Sequence, residues 1–114
     1  VIDIMATCVD VSGATYPAVF EGKEILGLEG VSLRPIMEGK AIGRQQPIFF
    51  EHQGKRGIRD ENWKLVNARG RGWELYDLES DRTEMIDLAA DFPDKVVELS
   101  RLYQAWAKRC DVNK

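Results

Sequence analysis

Residues 47–78, PIFFEHQGKRGIRDENWKLVNARGRGWELYDL, decide the fold. Runs rich in β-branched and aromatic residues alternate there with Gly54, with Asp60-Glu61-Asn62 and with Gly70-Arg71-Gly72, each a hairpin-turn signal. Four strands are expected, over residues 47–53, 55–60, 63–67 and 73–78. The connections are too short for parallel crossovers, so the sheet should be antiparallel. Ile48, Phe50, Leu65, Trp73 and Leu75 are the candidates for its buried face.

The C-terminal end of the chain is helical in pattern. Val96, Leu99, Tyr103, Trp106 and Cys110 recur at i, i+3, i+7, i+10 and i+14, one apolar stripe over nearly four turns. Pro93 and Asp94 suit the helix start, and Lys108 with Arg109 suits the negative end of its dipole. A long C-terminal helix lying across an antiparallel sheet is an α+β layer.

The N-terminal part is less regular. Residues 2–12 read as a helix stopped at Gly13, with Asp3, Thr7 and Asp10 as its one polar stripe and Ile2, Ile4, Met5, Ala6, Cys8, Val9 and Val11 around the rest. A helix so apolar is normally buried on more than one side. A domain of this size cannot supply all of that cover, so the helix is expected to hide by self-association, by crystal contacts or by folding onto the wrong partner, and the abrupt apolar start suggests a piece of something longer. From 14 to 46 the prolines and glycines favour loops around one helical turn at 32–38. The division expected is thus 1–13, a leftover helix; 14–46, a linker; and 47–114, a C-terminal subdomain.

The whole has 114 residues, 44% hydrophobic and 31% charged, with a net charge of -3, which describes one modest globular core rather than a disordered tail. No stretch approaches the roughly 20 apolar residues of a membrane span, so no membrane is expected as a partner. Cys8 and Cys110 are too few and too distant in sequence for a disulfide scaffold, and with the single His52 they lack metal-ligand spacing, so no metal site is expected.

Catalytic chemistry needs an activated nucleophile with a base in reach. His52 is the one imidazole, and Glu51 beside it on a strand points to the opposite face, so the two do not form an adjacent dyad. The carboxylates Glu79, Asp81, Glu84 and Asp87 lack the glycine and ligand spacing of a calcium loop and read as a solvated connector. Lys55, Arg56, Arg59, Lys64, Arg69 and Arg71 lie against Asp60 and Glu61 with Trp63 and Trp73 nearby, the pattern of an anion-binding or single-stranded nucleic-acid face. An overall acidic chain exerts no long-range pull on a polyanion, so the polar side of a sheet outweighs that reading and no nucleic acid is expected. His52 likewise reads either as a partly exposed polar residue or as a contact for a substrate anion.

The set Phe50-Glu51-His52-Gln53-Gly54-Lys55-Arg56-Gly57-Ile58-Arg59-Asp60, Trp63-Lys64-Leu65-Val66 and Trp73-Glu74-Leu75-Tyr76-Asp77-Leu78 resembles the C-terminal region of arylsulfatases. Ile2 through Gly13 and Tyr16-Pro17 resemble the last helix and exit loop of the sulfatase α/β domain. Gly30-Val31-Ser32-Leu33-Arg34-Pro35 resembles the linker motif, and Glu79 through Ala89 the segment leading to the terminal helix. Nearly the whole chain is covered, with departures at Arg82, where Pro is frequent, and at Cys8, where an aliphatic is usual.

The resemblance implies a parent that hydrolyses sulfate esters with a formylglycine made from Cys in a Cys-x-Pro-Ser-Arg motif, beside calcium. Neither Cys8 nor Cys110 fits that motif, so the machinery is expected upstream, in a missing N-terminal catalytic domain that is this chain's partner. The chain alone is expected to be inactive, with no cofactor of its own. It would support the large domain and lend His52, Gln53 and Arg56 to the rim of the sulfate-ester cleft. The rival reading is a free-standing module that binds anions or sulfated glycans with its basic hairpins. A bacterial periplasmic or secreted setting is implied by the resemblance alone.

Overall fold

The computed structural model describes residues 2–68 and 71–112. They fall into two units, one ending at Gln45 and the other beginning at Gln46.

In the first unit, α1 (Asp3–Ser12) ends at Gly13, as its sequence predicts. Its polar stripe is the side that is built in. Asp3 Oδ1 accepts the Val31 N–H at 2.8 Å, Thr7 Oγ1 accepts the Leu33 N–H at 2.9 Å, and Ser32 Oγ donates to Asp10 Oδ2 at 2.6 Å. Arg44 closes on Asp3 as an ion pair. The apolar faces stay in water, with Ile4 55%, Met5 56% and Val11 62% exposed. Expected loops between 14 and 46 contain one more element than the sequence suggests, a hairpin of β1 (Val19–Phe20) and β2 (Lys23–Glu24). Two-residue strands with no buried face carry no alternation to detect. The expected helical turn at 32–38 is α2 (Arg34–Met37), continued by an Arg34–Glu38 ion pair at 2.9 Å.

The second unit is a four-stranded antiparallel sheet of β3 (Ile48–His52), β4 (Lys55–Asp60), β5 (Trp63–Asn67) and β6 (Glu74–Asp77), in chain order, with α3 (Pro93–Arg109) against it. Phe49, Ile58, Leu65 and Leu75 stand opposite one another across the four strands. Ile58, Leu65 and Leu75 are fully buried against Leu99, Tyr103 and Ala107 of α3. Each large apolar side chain so buried contributes roughly 1.5 to 3 kcal/mol.

That row corrects the expected face on β3. Phe49, not Phe50, packs inward, with its ring stacked on Trp106 at 5.1 Å, while Phe50 is 48% exposed. Side chains alternate along a strand, so choosing Phe49 sends Ile48, Phe50 and His52 to the other face. Leu65 and Leu75 meet the expectation, Trp73 packs at the core's margin, and Ile58 is a core residue the mixed pattern had hidden.

The carboxylates between β6 and α3 do more than solvate a connector. Asp81 Oδ2 accepts the N–H groups of Met85 at 2.7 Å and Ile86 at 2.9 Å, and the Ile86 bond leads the effects that hold its pKa below the ordinary carboxylate value. Asp87 Oδ1 accepts the Leu75 N–H at 3.0 Å, and the Leu88 N–H donates to the Leu75 carbonyl at 2.8 Å, closing the outer edge of β6.

Candidate functional site: the end of the β3–β4 ribbon

The ribbon turns through only two residues, Gln53 and Gly54, at φ 52° and 79°. Both angles are positive, as a tight hairpin that matches the strand twist requires. Gly54 meets that demand without strain, and its N–H donates to Glu51 Oε1 at 2.9 Å, fastening the turn.

This geometry sets where the three candidate side chains lie. His52 is paired with Lys55 and Glu51 with Arg56. By alternation His52 and Lys55 stand on the face away from α3, while Glu51 and Arg56 stand on the α3 face. The charges of Arg56 and Glu51 are accordingly felt by the Tyr103 phenol of α3, though burial is what chiefly raises its pKa. Gln53 occupies the turn itself. The ribbon end therefore carries cations on both sides, and His52, Gln53 and Arg56 are all exposed.

Beside it is an open depression of about 750 Å³, lined among others by Phe50, His52, Lys55, Arg56, Val66 and Trp106. Aromatic and aliphatic surface with cationic side chains at its border can receive an organic anion.

The wider basic run is partly spent on the fold. Lys64 pairs with Glu84, and Arg59 Nε donates to the Glu61 carbonyl at 3.3 Å. Trp63 and Trp73 pack on Phe92 and Tyr103, at ring separations of 5.3 and 5.8 Å, rather than forming an open stacking face. Arg69, part of that run, lies outside the described residues.

The carboxylates do not fit calcium. Asp81 and Asp87 are taken up by main-chain N–H groups, Glu84 by Lys64 and Glu79 by the Asn62 amide at 2.8 Å. Among the described residues no three of His, Cys, Asp and Glu converge as metal ligands. Cys8 and Cys110 are free thiols, and neither stands in the Cys-x-Pro-Ser-Arg setting of a formylglycine precursor. The sequence points to the hairpin but not to what lies beside it: the register puts Phe50 and Val66 together on the face away from α3, with Gly57 between them, and leaves Trp106 on the α3 face against Phe49.

No protein-family model matches the chain. It is 30% identical over 106 residues to an uncharacterized sulfatase of Schizosaccharomyces pombe, covering 87% of this chain and 19% of that protein. It is 29% identical over 94 residues to a choline-sulfatase of Rhizobium meliloti, covering 77% of this chain and 17% of that protein. Its fold matches the structure of BT4656 in complex with its substrate D-glucosamine-2-N,6-O-disulfate at a TM-score of 0.66 and 26% identity, over 98% of this chain and 24% of that one. The chain thus spans less than a fifth of the length of these two curated relatives. Fold and sequence agree, and over most of its length the chain is similar to the C-terminal region of sulfatases.

Proposed function

We propose that this chain is the C-terminal subdomain of a longer polypeptide that hydrolyses sulfate esters, and that the end of the β3–β4 ribbon forms part of the rim of its substrate cleft. The observation that carries the reading is the ribbon end: a tight turn presenting His52 on one side and Arg56 on the other, beside an aromatic depression. A sulfate ester is an anion on an organic body, and the two kinds of surface suit its two parts.

Within that polypeptide the formylglycine and calcium implied by the family would supply the nucleophile and hold the sulfate oxygens. The residues of this chain would orient the ester's organic part and add positive potential at the cleft mouth. Residues 1–13 and 14–46 would serve as helix and linker, and 47–114 as the subdomain. The partner is the remainder of that polypeptide, and the exposed Ile4, Met5 and Val11 of α1 favour a larger body against them, since apolar patches commonly mark interfaces.

A chromogenic aryl sulfate tests this at two levels. The 114-residue chain alone should give no turnover above buffer. In the longer polypeptide, His52→Ala and Arg56→Gln should each lower kcat/KM for sulfated substrate while leaving the melting temperature in place. Falling stability with unchanged kcat/KM would overturn the rim assignment. The second reading, an independent module binding anions or sulfated glycans, rests on the cationic ribbon end, and saturable binding of a sulfated oligosaccharide to the isolated chain would favour it.

A further inference from the structure

The two edges of the main sheet are treated differently. The β6 edge is closed by Asp87 and Leu88. The β3 edge is open: among the described residues, the main chain of Ile48–His52 has no backbone hydrogen bond outside the β3–β4 ladder. The two-residue turn makes His52–Lys55 the hydrogen-bonded closing pair, so Phe50 and Ile48 also bond to β4. The N–H and C=O groups of Phe49 and Glu51 are then left pointing outward. Within β3 there is no Lys, no Pro and no bulge, Glu51 is its one carboxylate, and its central residue Phe50 is 48% exposed.

We propose that this edge pairs with the same edge of a second copy of the chain, antiparallel about a two-fold axis at Phe50, so that the two sheets become one. The register is set by the residues themselves. Outward groups must meet outward groups, which restricts the possible pairings. A pairing centred on Glu51 sets two carboxylates opposite each other, and like charges there are destabilising. A pairing centred on Phe49 sets Glu51 opposite Pro47, which has no N–H to give. Centred on Phe50, each Phe49 faces the partner copy's Glu51 backbone with both donors and acceptors complete. No like charges oppose one another, and the two exposed phenylalanines form a close aromatic pair. This pairing needs no ester, but it draws on Phe50 and His52, which also line the depression at the proposed rim.

Sedimentation velocity of the 114-residue chain, from low to high micromolar concentration, should show a reversible monomer–dimer equilibrium. Phe50→Lys, which sets two ammonium groups opposite each other on an already exposed position, should weaken it by at least about tenfold, or 1.4 kcal/mol. Glu51→Pro, which removes an outward N–H, should do the same; if that variant does not fold, Phe50→Lys decides. In a Cys8→Ser, Cys110→Ser background, Phe50→Cys should oxidise to a disulfide dimer, since directly opposed residues of this pair type lie at about 4.5 Å between Cα atoms. A monomer at every concentration overturns the proposal. So does a dimer that Phe50→Lys leaves intact, which would place self-association elsewhere, as on the apolar face of α1.

Discussion

Thr7 holds Leu33. The Thr7 hydroxyl donates to the Asp3 carbonyl at 2.7 Å within α1 and accepts the Leu33 N–H at 2.9 Å from the segment ahead of α2. Thr7 is 9% exposed, so neither bond is readily replaced by water. Thr7→Val keeps the shape and removes both. It should cost the first unit about 1 to 3 kcal/mol, because the Leu33 N–H is left unsatisfied. Faster amide exchange at Leu33 together with a lower unfolding midpoint would register this; an unchanged Leu33 rate would refute it.

Gly30 passes against the start of α1. A Cβ built there would collide with the Ile2 carbonyl and Asp3 Cα, all main-chain atoms that no side-chain rotation can move aside. Gly30→Ala should therefore displace the 30–33 segment from α1 and cost about 1 to 3 kcal/mol, the range for overpacking. Loss of exchange protection at Val31 and Leu33 together is the expected signature.

Tyr103 is the reverse case. Its ring is 1% exposed in the core, and its hydroxyl has no hydrogen-bond partner among the described residues. Tyr103→Phe removes a buried polar group that gains nothing where it is. The urea midpoint should hold or rise, by up to about 1 kcal/mol in stability. Leu99→Ala on the same face of α3 is the control, expected to cost about 2 to 5 kcal/mol through the cavity it leaves.

Acid should loosen the first unit through Asp3. Burial pushes its carboxyl upward, but the Arg44 guanidinium and the Val31 N–H outweigh burial and leave its pKa below the ordinary value of 3.8. A carboxyl whose pKa is lower folded than unfolded contributes its full stability above the unfolded value and loses it as pH falls through the folded one. Exchange at Val31 should thus accelerate below about pH 4 in the native chain. In Asp3→Asn that acid step should disappear.

The strands of the sheet and the stripe of α3 were legible because both are local: turn residues punctuate 47–78, and the 3.6-residue period picks out Val96, Leu99, Tyr103 and Trp106 without reference to anything else. The polar stripe of α1 was equally plain. The tertiary structure alone decided what that stripe does. Asp3, Thr7 and Asp10 face the rest of their unit because they satisfy polar groups of 31–33, leaving the apolar side outside. The neighbouring phenylalanines on β3 are chemically alike, so only pairing with Ile58 and packing on Trp106 could choose Phe49 over Phe50 for the core. The candidate site divides in the same way. A hairpin bearing His52, Gln53 and Arg56 was readable from Gly54 and its flanks, but a two-residue turn fixes the strand register. That register sends His52 and Arg56 to opposite faces of the ribbon, because alternation along each strand leaves them no other arrangement.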